Sequence, residues 1–391
     1  MAKPHDQSRA STVAAMRCAG YEAEAVSRAV ARVFAAAPGG GSLIPPGSTI
    51  LVKPNLLSPR NPAEAVTTHP AVVKAVIEHC FAAGAGRVWL GDSCAGEHPD
   101  AKLWEATGMT AVARETGAEL KSFGGNVSAR SCGRTQLPVP AWLDDVDLWI
   151  SVPKLKTHTL TVLTCAVKNT YGMVSGSVKS FYHGQYPSPH SMSRFLLDVH
   201  RAIAPAFVIV DGVVAMEGHG PANGSPASVG LVLGGNDALA IDAVCAPIFK
   251  SKPQDVPTLR AALREDSGVL DAVEVVGDGA ELLDTVRLKP SLGRLLQRVP
   301  ESVFQLATSI LACRPRINAA KCVGCGACAR ICSQNAISQD QEQNSYEIDS
   351  AHCIMCMCCA EACPYHAVEI KSPLRFLHAL RRLGHAIART K

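Results

Sequence analysis

Eight cysteines near the C-terminus stand at spacings that suit metal chemistry. The first set is Cys322-x2-Cys325-x2-Cys328-x3-Cys332, and the second is Cys353-x2-Cys356-x2-Cys359-x3-Cys363-Pro364. Three thiolates at steps of three wrap one face of an iron–sulfur cubane, while a fourth, set apart by one further residue, crosses to the neighbouring cluster. The expected ligation is therefore crossed. Cys322, Cys325, Cys328 and Cys363 would hold one [4Fe–4S] cluster, and Cys353, Cys356, Cys359 and Cys332 the other. Zinc ribbons separate their cysteine pairs by about 15–20 residues and need no third cysteine, so two [4Fe–4S] clusters are the better reading. Ser333 stands where a proline usually follows the fourth cysteine, and Cys358 is a ninth cysteine beside a ligand, expected to be a small buried residue of the loop.

A second group of residues could do chemistry of another kind. Lys154, Lys156, His158 and Lys168 bring three ammonium groups and an imidazole together just past an apolar strand, and Asn55 and Asn169 add neutral donors. Lysine as a point charge with asparagine as orienter suits a carboxylate or a phosphate. Lys154, His158 and Lys168 are the expected catalytic residues; Lys53, Asn55, Lys156, Asn169, Asp92 and Asp211 are expected to bind substrate. A solvated surface turn is the plainer alternative. Asp92, Asp211, Glu217 and Asp242 could balance the lysines, hold a cation, act as acids and bases, or cap helices. Cys165 reads as a small buried residue rather than a nucleophile. Neither the dinucleotide fingerprint nor the Walker phosphate loop occurs, so NAD and ATP are not supported.

The elements that must position these groups alternate. Apolar runs predict strands at Thr12–Cys18, Thr49–Lys53, Arg87–Leu90, Leu120–Phe123, Asp147–Val152, Phe207–Val210, Val229–Leu233 and Val273–Val276. Between them, helices are predicted at Glu22–Ala37, Pro70–Ala83, Ala111–Thr116, Met192–Ile203 and Ala238–Phe249. That order argues for an α/β fold with a largely parallel sheet, in which functional residues gather beyond the C-terminal strand ends. Lys53-Pro54-Asn55, Gly91-Asp92-Ser93, Lys154–His158 and Asp211-Gly212 all fall there. The expected organisation is a disordered leader (1–11), an α/β domain (12–285), a linker (286–316), a small α+β bacterial-type ferredoxin domain (317–370) and a basic amphipathic tail (371–391).

Composition sets limits. A net charge of +4 over 391 residues is too small to argue for nucleic acid. No stretch of 18 apolar residues is present to span a membrane, and the N-terminus lacks the pattern of a signal peptide. Thiolate ligands and scattered free thiols point to a reducing compartment, hence a cytoplasmic protein. Residues 317–370 are acidic, with Lys321 and Arg330 against six carboxylates, whereas 371–391 carries six cations and no acid.

Taken in order, Lys53-Pro54-Asn55, Thr68-His69-Pro70, Gly91-Asp92-Ser93, Pro153–His158, Val167-Lys168-Asn169, Asp211-Gly212, Glu217-Gly218 and Asp242-Ala243 resemble the domain of unknown function 362 family, in its members with a C-terminal two-cluster ferredoxin. The resemblance implies an α/β fold in an iron–sulfur context and no particular reaction. The residues favour an oxidoreductase that passes low-potential electrons from a soluble donor, such as a ferredoxin or flavodoxin, to an anionic small molecule in the cleft. A non-enzymatic electron carrier or metal-centre assembly factor, and a lyase or isomerase with structural clusters, are the alternatives.

Overall fold

Val26, Ala29, Val30, Val33 and Phe34 recur at helical spacing, so the helix Ala23–Ala36 buries one stripe before the chain breaks at Pro38-Gly39. Pro70 opens the helix Pro70–Ala82, whose first turn is capped by the His69 ring accepting from the Ala71 amide at 3.2 Å. The computed structural model describes residues 11–96, 98–176, 178–186, 188–291, 314–341 and 343–371. The expected leader, apart from Ser11, most of the linker and nearly all of the basic tail lie outside the described residues.

The strands are β1 (Ser11–Arg17), β2 (Thr49–Pro54), β3 (Arg87–Leu90), β4 (Glu119–Leu120), the hairpin β5 (Val127–Cys132) and β6 (Thr135–Pro140), β7 (Leu148–Val152), β8 (Lys154–His158), β9 (Val162–Thr164), β10 (Phe207–Glu217), β11 (Ser225–Gly235) and β12 (Val273–Val276). Ten of them form one sheet in the order β12-β1-β11-β10-β7-β2-β3-β4; β8 pairs with β10 beyond β7, and β9 pairs with β8. Along that path β11 alone runs against its neighbours. The sheet is therefore mostly parallel, and the C-terminal ends of β2, β3, β7, β8 and β10 share one edge. Side chains alternate between two covered faces. Ile50, Val52 and Ile209 pack under the helices Ala23–Ala36 and Pro70–Ala82, while Leu51, Val208 and Val210 face the helices Pro189–Ala202 and Ala238–Cys245 on the other side.

The structure corrects three local expectations. Lys154–His158 is a strand rather than a turn, and all five of its residues are buried. Lysine is a poor strand former, and Pro153 looked like an end; the pairing with β10 (Asp211↔Lys154, Met216↔Lys156) overrides both. β10 continues to Glu217 through an irregularity at Gly212/Val214 instead of stopping at Val210. The helix from Ala238 ends at Cys245 and tightens to a 3-10 turn, because Pro247 has no N–H to continue it.

In the C-terminal module β13 (Arg314–Ile317) pairs antiparallel with β16 (Val368–Lys371), and β14 (Ile337–Asp340) with β15 (Ser345–Ile348). Two short helices, Ala327–Arg330 and Cys358–Ala362, complete it. Its halves repeat in backbone as well as in sequence. Gly324 and Gly326 (φ 69 and 74) correspond to Met355 and Met357 (φ 56 and 65), and Asn335 (φ 50) corresponds to His366 (φ 51). Methionine in the left-handed region costs roughly 1–2 kcal/mol and persists where the surroundings over-determine it, here in a loop bearing three of the motif cysteines. Among the described residues no helix is long and apolar enough to cross a membrane.

Candidate functional site

The shared sheet edge carries four buried lysine or histidine assemblies, each at the end of a different strand or on β8. At the end of β2, the Lys53 ammonium lies 2.6 Å from Asp92, which follows β3, and also donates to the Pro54 carbonyl at 3.0 Å. Burial pulls the Lys53 pKa down and the Asp92 charge opposes it. Gly172 closes over this pair. A Cβ there would come within 2.5 Å of both the Lys53 Nζ and the Asp92 Oδ1, so a larger residue would have to push this pair aside.

On β8, the Lys154 Nζ donates to Asp211 at 2.9 Å and to the Tyr21 hydroxyl at 2.8 Å. Asp211 also accepts from the Tyr21 hydroxyl and from the His69 amide, both at 2.9 Å, while the Tyr21 ring stacks on His69 at 3.6 Å. Two residues on, the Lys156 Nζ donates to Asn55 Oδ1 at 2.9 Å and to the Val66 carbonyl at 2.6 Å. With no carboxylate at ion-pair distance among the described residues, burial first and the charge of Lys168 second lower its pKa to about 7. His158 ends the strand. Its Nδ1 accepts from the amides of Leu160 (3.0 Å) and Thr161 (3.2 Å), so the neutral ring carries its hydrogen on Nε2. That nitrogen stands 3.2 Å from Glu361 Oε1, an approach close enough for an ion pair but not aligned as a hydrogen bond. Burial keeps the imidazole neutral, with a pKa of about 4.

The short helix Ala166–Asn169 is held by Asp242, whose carboxylate accepts from the Ala166 amide at 2.7 Å and the Val167 amide at 3.3 Å. Burial raises the Asp242 pKa to about 7. Asn169 is fixed in turn by Ser151 Oγ at 2.8 Å, and its Oδ1 accepts from Lys53 at 3.3 Å. Lys168 differs from the other lysines: among the described residues it has no carboxylate at ion-pair distance, yet its charge is felt by Glu361, His158, His183, Lys156 and Lys179.

These groups meet in a small cavity of about 70 Å³. Lys53, Asn55, Asp92, Lys168 and Asn169 line it from the sheet edge; Lys154, Lys156, His158 and Asp211 lie behind or beside it and do not. Sequence reading missed four of its lining groups, Lys179, His183, Tyr171 and Glu361. Lys179 donates to Ser93 Oγ at 2.8 Å and to the Cys94 carbonyl at 3.1 Å, and burial lowers its pKa to about 8. Burial likewise holds His183 neutral, near 4. Glu361 is also buried, which by itself would raise its pKa, but His158, Lys168 and His183 hold it down to about 2. Glu217 is elsewhere, paired with Lys289 at 2.9 Å, and Cys165 is fully buried outside the cavity.

Glu361, Cys358 and Ile331 reach this cavity from the C-terminal module, so its wall is shared between the two parts of the chain. The junction is well anchored. The buried Arg60 guanidinium donates to the Cys363 carbonyl at 2.7 Å and contacts Glu64 and His366; His98 Nε2 bonds the Ala362 carbonyl at 3.0 Å. Within the module, Cys322, Cys325, Cys328 and Cys363 line one cavity, and Cys332, Cys353, Cys356 and Cys359 line another. Each is a separate basket of four thiols, the donor set an iron–sulfur cluster requires. Cys358 lines both the second basket and the sheet-edge cavity.

Two family profiles match separate stretches of the chain. The profile of a family described as "Domain of unknown function (DUF362)" matches residues 50–247, and that of a "4Fe-4S dicluster domain" matches residues 321–367. The thylakoid-associated protein sll1697 of Synechocystis sp. (strain ATCC 27184 / PCC 6803 / Kazusa) is 32% identical over 255 residues, covering 65% of this chain and 79% of that protein. Among solved structures, the lactate racemase apoprotein of Thermoanaerobacterium thermosaccharolyticum overlaps at a TM-score of 0.41 and 11% identity, covering 63% of this chain and 59% of the racemase. A Thermotoga maritima protein overlaps at a TM-score of 0.32 and 12% identity, over 50% of this chain and 51% of its own.

Proposed function

The chain belongs to the family of the domain of unknown function DUF362 and carries a 4Fe-4S dicluster domain behind it, and from that premise we propose that it is an iron–sulfur reductase acting on a small anionic substrate in the shared cavity. Cys322, Cys325, Cys328 and Cys363 would hold one cluster, and Cys353, Cys356, Cys359 and Cys332 the other. When bound, the clusters supply single electrons at low potential. The observation that carries the reading is Cys358, which lines both the second thiol basket and the cavity at the sheet edge.

The chain's own residues bind and orient. Lys168, without a carboxylate partner among the described residues, offers its charge to a carboxylate or phosphate. Asn55 and Asn169 orient that group, and Lys53 is held at its side by Asp92. Lys154 is already neutralised by Asp211 and serves as a positioning residue for β8 and the loop at His69. His158 keeps its hydrogen on Nε2, facing the Glu361 carboxylate that the cluster module brings to the cavity. A volume of about 70 Å³ admits a compact anionic head rather than a nucleotide.

The electron donor in this reading is a soluble carrier such as a ferredoxin or flavodoxin. Thiolate ligands call for a reducing compartment, which we take to be the cytoplasm. The association in the relative's name supports work at a membrane surface, reached through the basic tail Lys371–Lys391.

Testing the reading takes anaerobic, cluster-loaded protein reduced with dithionite and exposed to a panel of small carboxylates and phosphates. A substrate should restore the visible absorbance of the oxidised clusters and emerge reduced, and Lys168→Met should slow this sharply. Conversion of a panel compound at full rate without net oxidation or reduction would replace the reductase by a lyase or isomerase.

A further inference from the structure

The two thiol baskets differ in where they open. The basket of Cys332, Cys353, Cys356 and Cys359 shares Cys358 with the cleft, whereas the other includes Cys325, which is exposed. Four large apolar side chains stand exposed among the described residues, and two of them, Val323 (52%) and Tyr365 (41%), line the basket of Cys325. Two cations border them, and the Glu64 carboxylate beside Tyr365 is engaged by Arg60 and His366. The Lys102 ammonium lies 5.8 Å over the Tyr365 ring, and Arg330, also exposed, donates to the Cys325 carbonyl at 3.0 Å. The nearby carboxylate of Glu369 is already taken by Lys321 at 2.9 Å and by Asn318 at 2.9 Å.

We propose that Val323, Tyr365 and the exposed Cys325, rimmed by Lys102 and Arg330, form the docking surface for an acidic one-electron carrier protein. This rests on the reductase reading and adds to it the face at which electrons arrive. An apolar centre beside an exposed ligand brings a donor's redox group close, and a cationic rim steers a negatively charged partner onto it. The chain's own undescribed segments are poor occupants. The tail carries Arg375, Arg381, Arg382, Arg389 and Lys391 without an acid, and residues 292–313 carry Arg294 and Arg298 against Glu301. Both segments carry a net positive charge, as Lys102 and Arg330 do, and so match this rim less well than an acidic protein would. Each encounter would oxidise the reduced carrier by one electron and reduce by one electron the cluster that Cys322, Cys325, Cys328 and Cys363 would hold; no bond is made or broken there.

The test measures binding of the cluster-loaded, full-length protein to an acidic flavodoxin by calorimetry. Affinity should fall roughly tenfold from low to moderate salt, as screening of a charged interface requires. Lys102→Glu should weaken binding roughly tenfold at low salt, since a like charge at the rim repels the partner, and Val323→Ser about threefold through lost apolar contact. Both variants should keep the cluster absorbance and accept electrons fully from dithionite, which needs no docking surface. Affinity unchanged in both variants overturns the proposal, as does absence of flavodoxin binding by the wild type or self-association of the chain through this face. A wild type that docks the carrier but ignores every small anion would sink the reductase reading and leave this surface standing.

Discussion

At the start of β8 the Lys154 ammonium is shut from solvent between Asp211 and Tyr21, whereas Lys168, later in the chain, lines a cavity without a carboxylate at ion-pair distance among the described residues. Both lysines follow apolar segments and sit beside the same sheet edge. What separates them is the partner each meets. Asp211 sits on the strand paired with β8 and neutralises Lys154 in place, so this pair holds three chain segments together. Asp242 spends both oxygens on the amides before Lys168 and leaves the ammonium itself free to face the cavity. Lys154 is committed to the fold; in the proposed reading Lys168 is left to meet a ligand.

The sharpest way to break that comparison is to remove Lys154. Lys154→Met would leave Asp211 buried among hydroxyl and amide donors without its cation, a defect worth roughly 3–5 kcal/mol. Urea unfolding of the anaerobic protein should show a loss of that size. A loss below about 1 kcal/mol, together with disappearance of the response to anions, would mean that Lys154 faces the ligand after all.

Lys168→Met is the complementary change. It breaks no ion pair but removes a charge that helps keep the buried Glu361 carboxyl low, so stability should fall by less than in Lys154→Met, while affinity for a small carboxylate or phosphate should drop by roughly 1.5–3 kcal/mol, the scale of a charged hydrogen bond. Thermal shifts across a panel of acidic metabolites would measure it. Equal shifts in variant and wild type would return Lys168 to the ranks of structural residues.

Much of this arrangement was legible beforehand, for physical reasons that also explain the gaps. The parallel edge announced itself because buried strands are apolar runs and the polar clusters follow them directly: Lys53-Pro54-Asn55 after β2, Asp92 after β3. The cysteine spacing, too, is short-range geometry and survives in one dimension. Glu361 could not be found that way, because nothing local marks a carboxylate near the C-terminus as the neighbour of His158. Lys179 and His183 lie on the helix Val178–Gln185, whose moderate amphipathic pattern gave no sign of facing a site. β8 was hidden for the opposite reason. Its lysines look like a solvated turn, and only the partners Asn55, Val66 and Asp211 make it a buried strand.

Lys156 extends the comparison to pH. Its folded pKa of about 7 lies below that of the unfolded chain, because burial and Lys168 disfavour the charged form. Between about 7 and the ordinary lysine value near 10.4 the unfolded state therefore binds more protons. The penalty is complete below about 7 and is relieved as pH rises, so stability should climb with pH across this window by at most about 1.4 kcal/mol per unit for one group. Lys179, at about 8, pushes in the same direction. Unfolding at successive pH values from 7 to 9 should give a shallower slope in Lys156→Met than in wild type. An identical slope would show that Lys156 stays protonated in the folded protein and that its two carbonyl acceptors are enough to hold the charge.

The smallest expected effect belongs to Cys358, and it tests the symmetry of the two cluster-binding halves. The first half has Ala327 where the second has Cys358, each opening its short helix directly after a residue in the left-handed region, Gly326 or Met357. Ala327 and Cys358 are both buried, and a thiol cannot be required at a position that alanine fills in the other half. Cys358→Ala should leave the iron content of the anaerobically loaded protein unchanged at about eight per chain, the complement of two four-iron clusters. Stability should fall by about 1 kcal/mol or less, the cost of one small cavity beside the cleft. Arrival of electrons at the cleft should then depend on distance alone, so substrate-driven reoxidation should change little. Iron falling to half would identify Cys358 as a ligand in place of Cys356 or Cys359, and the two halves would no longer be equivalent.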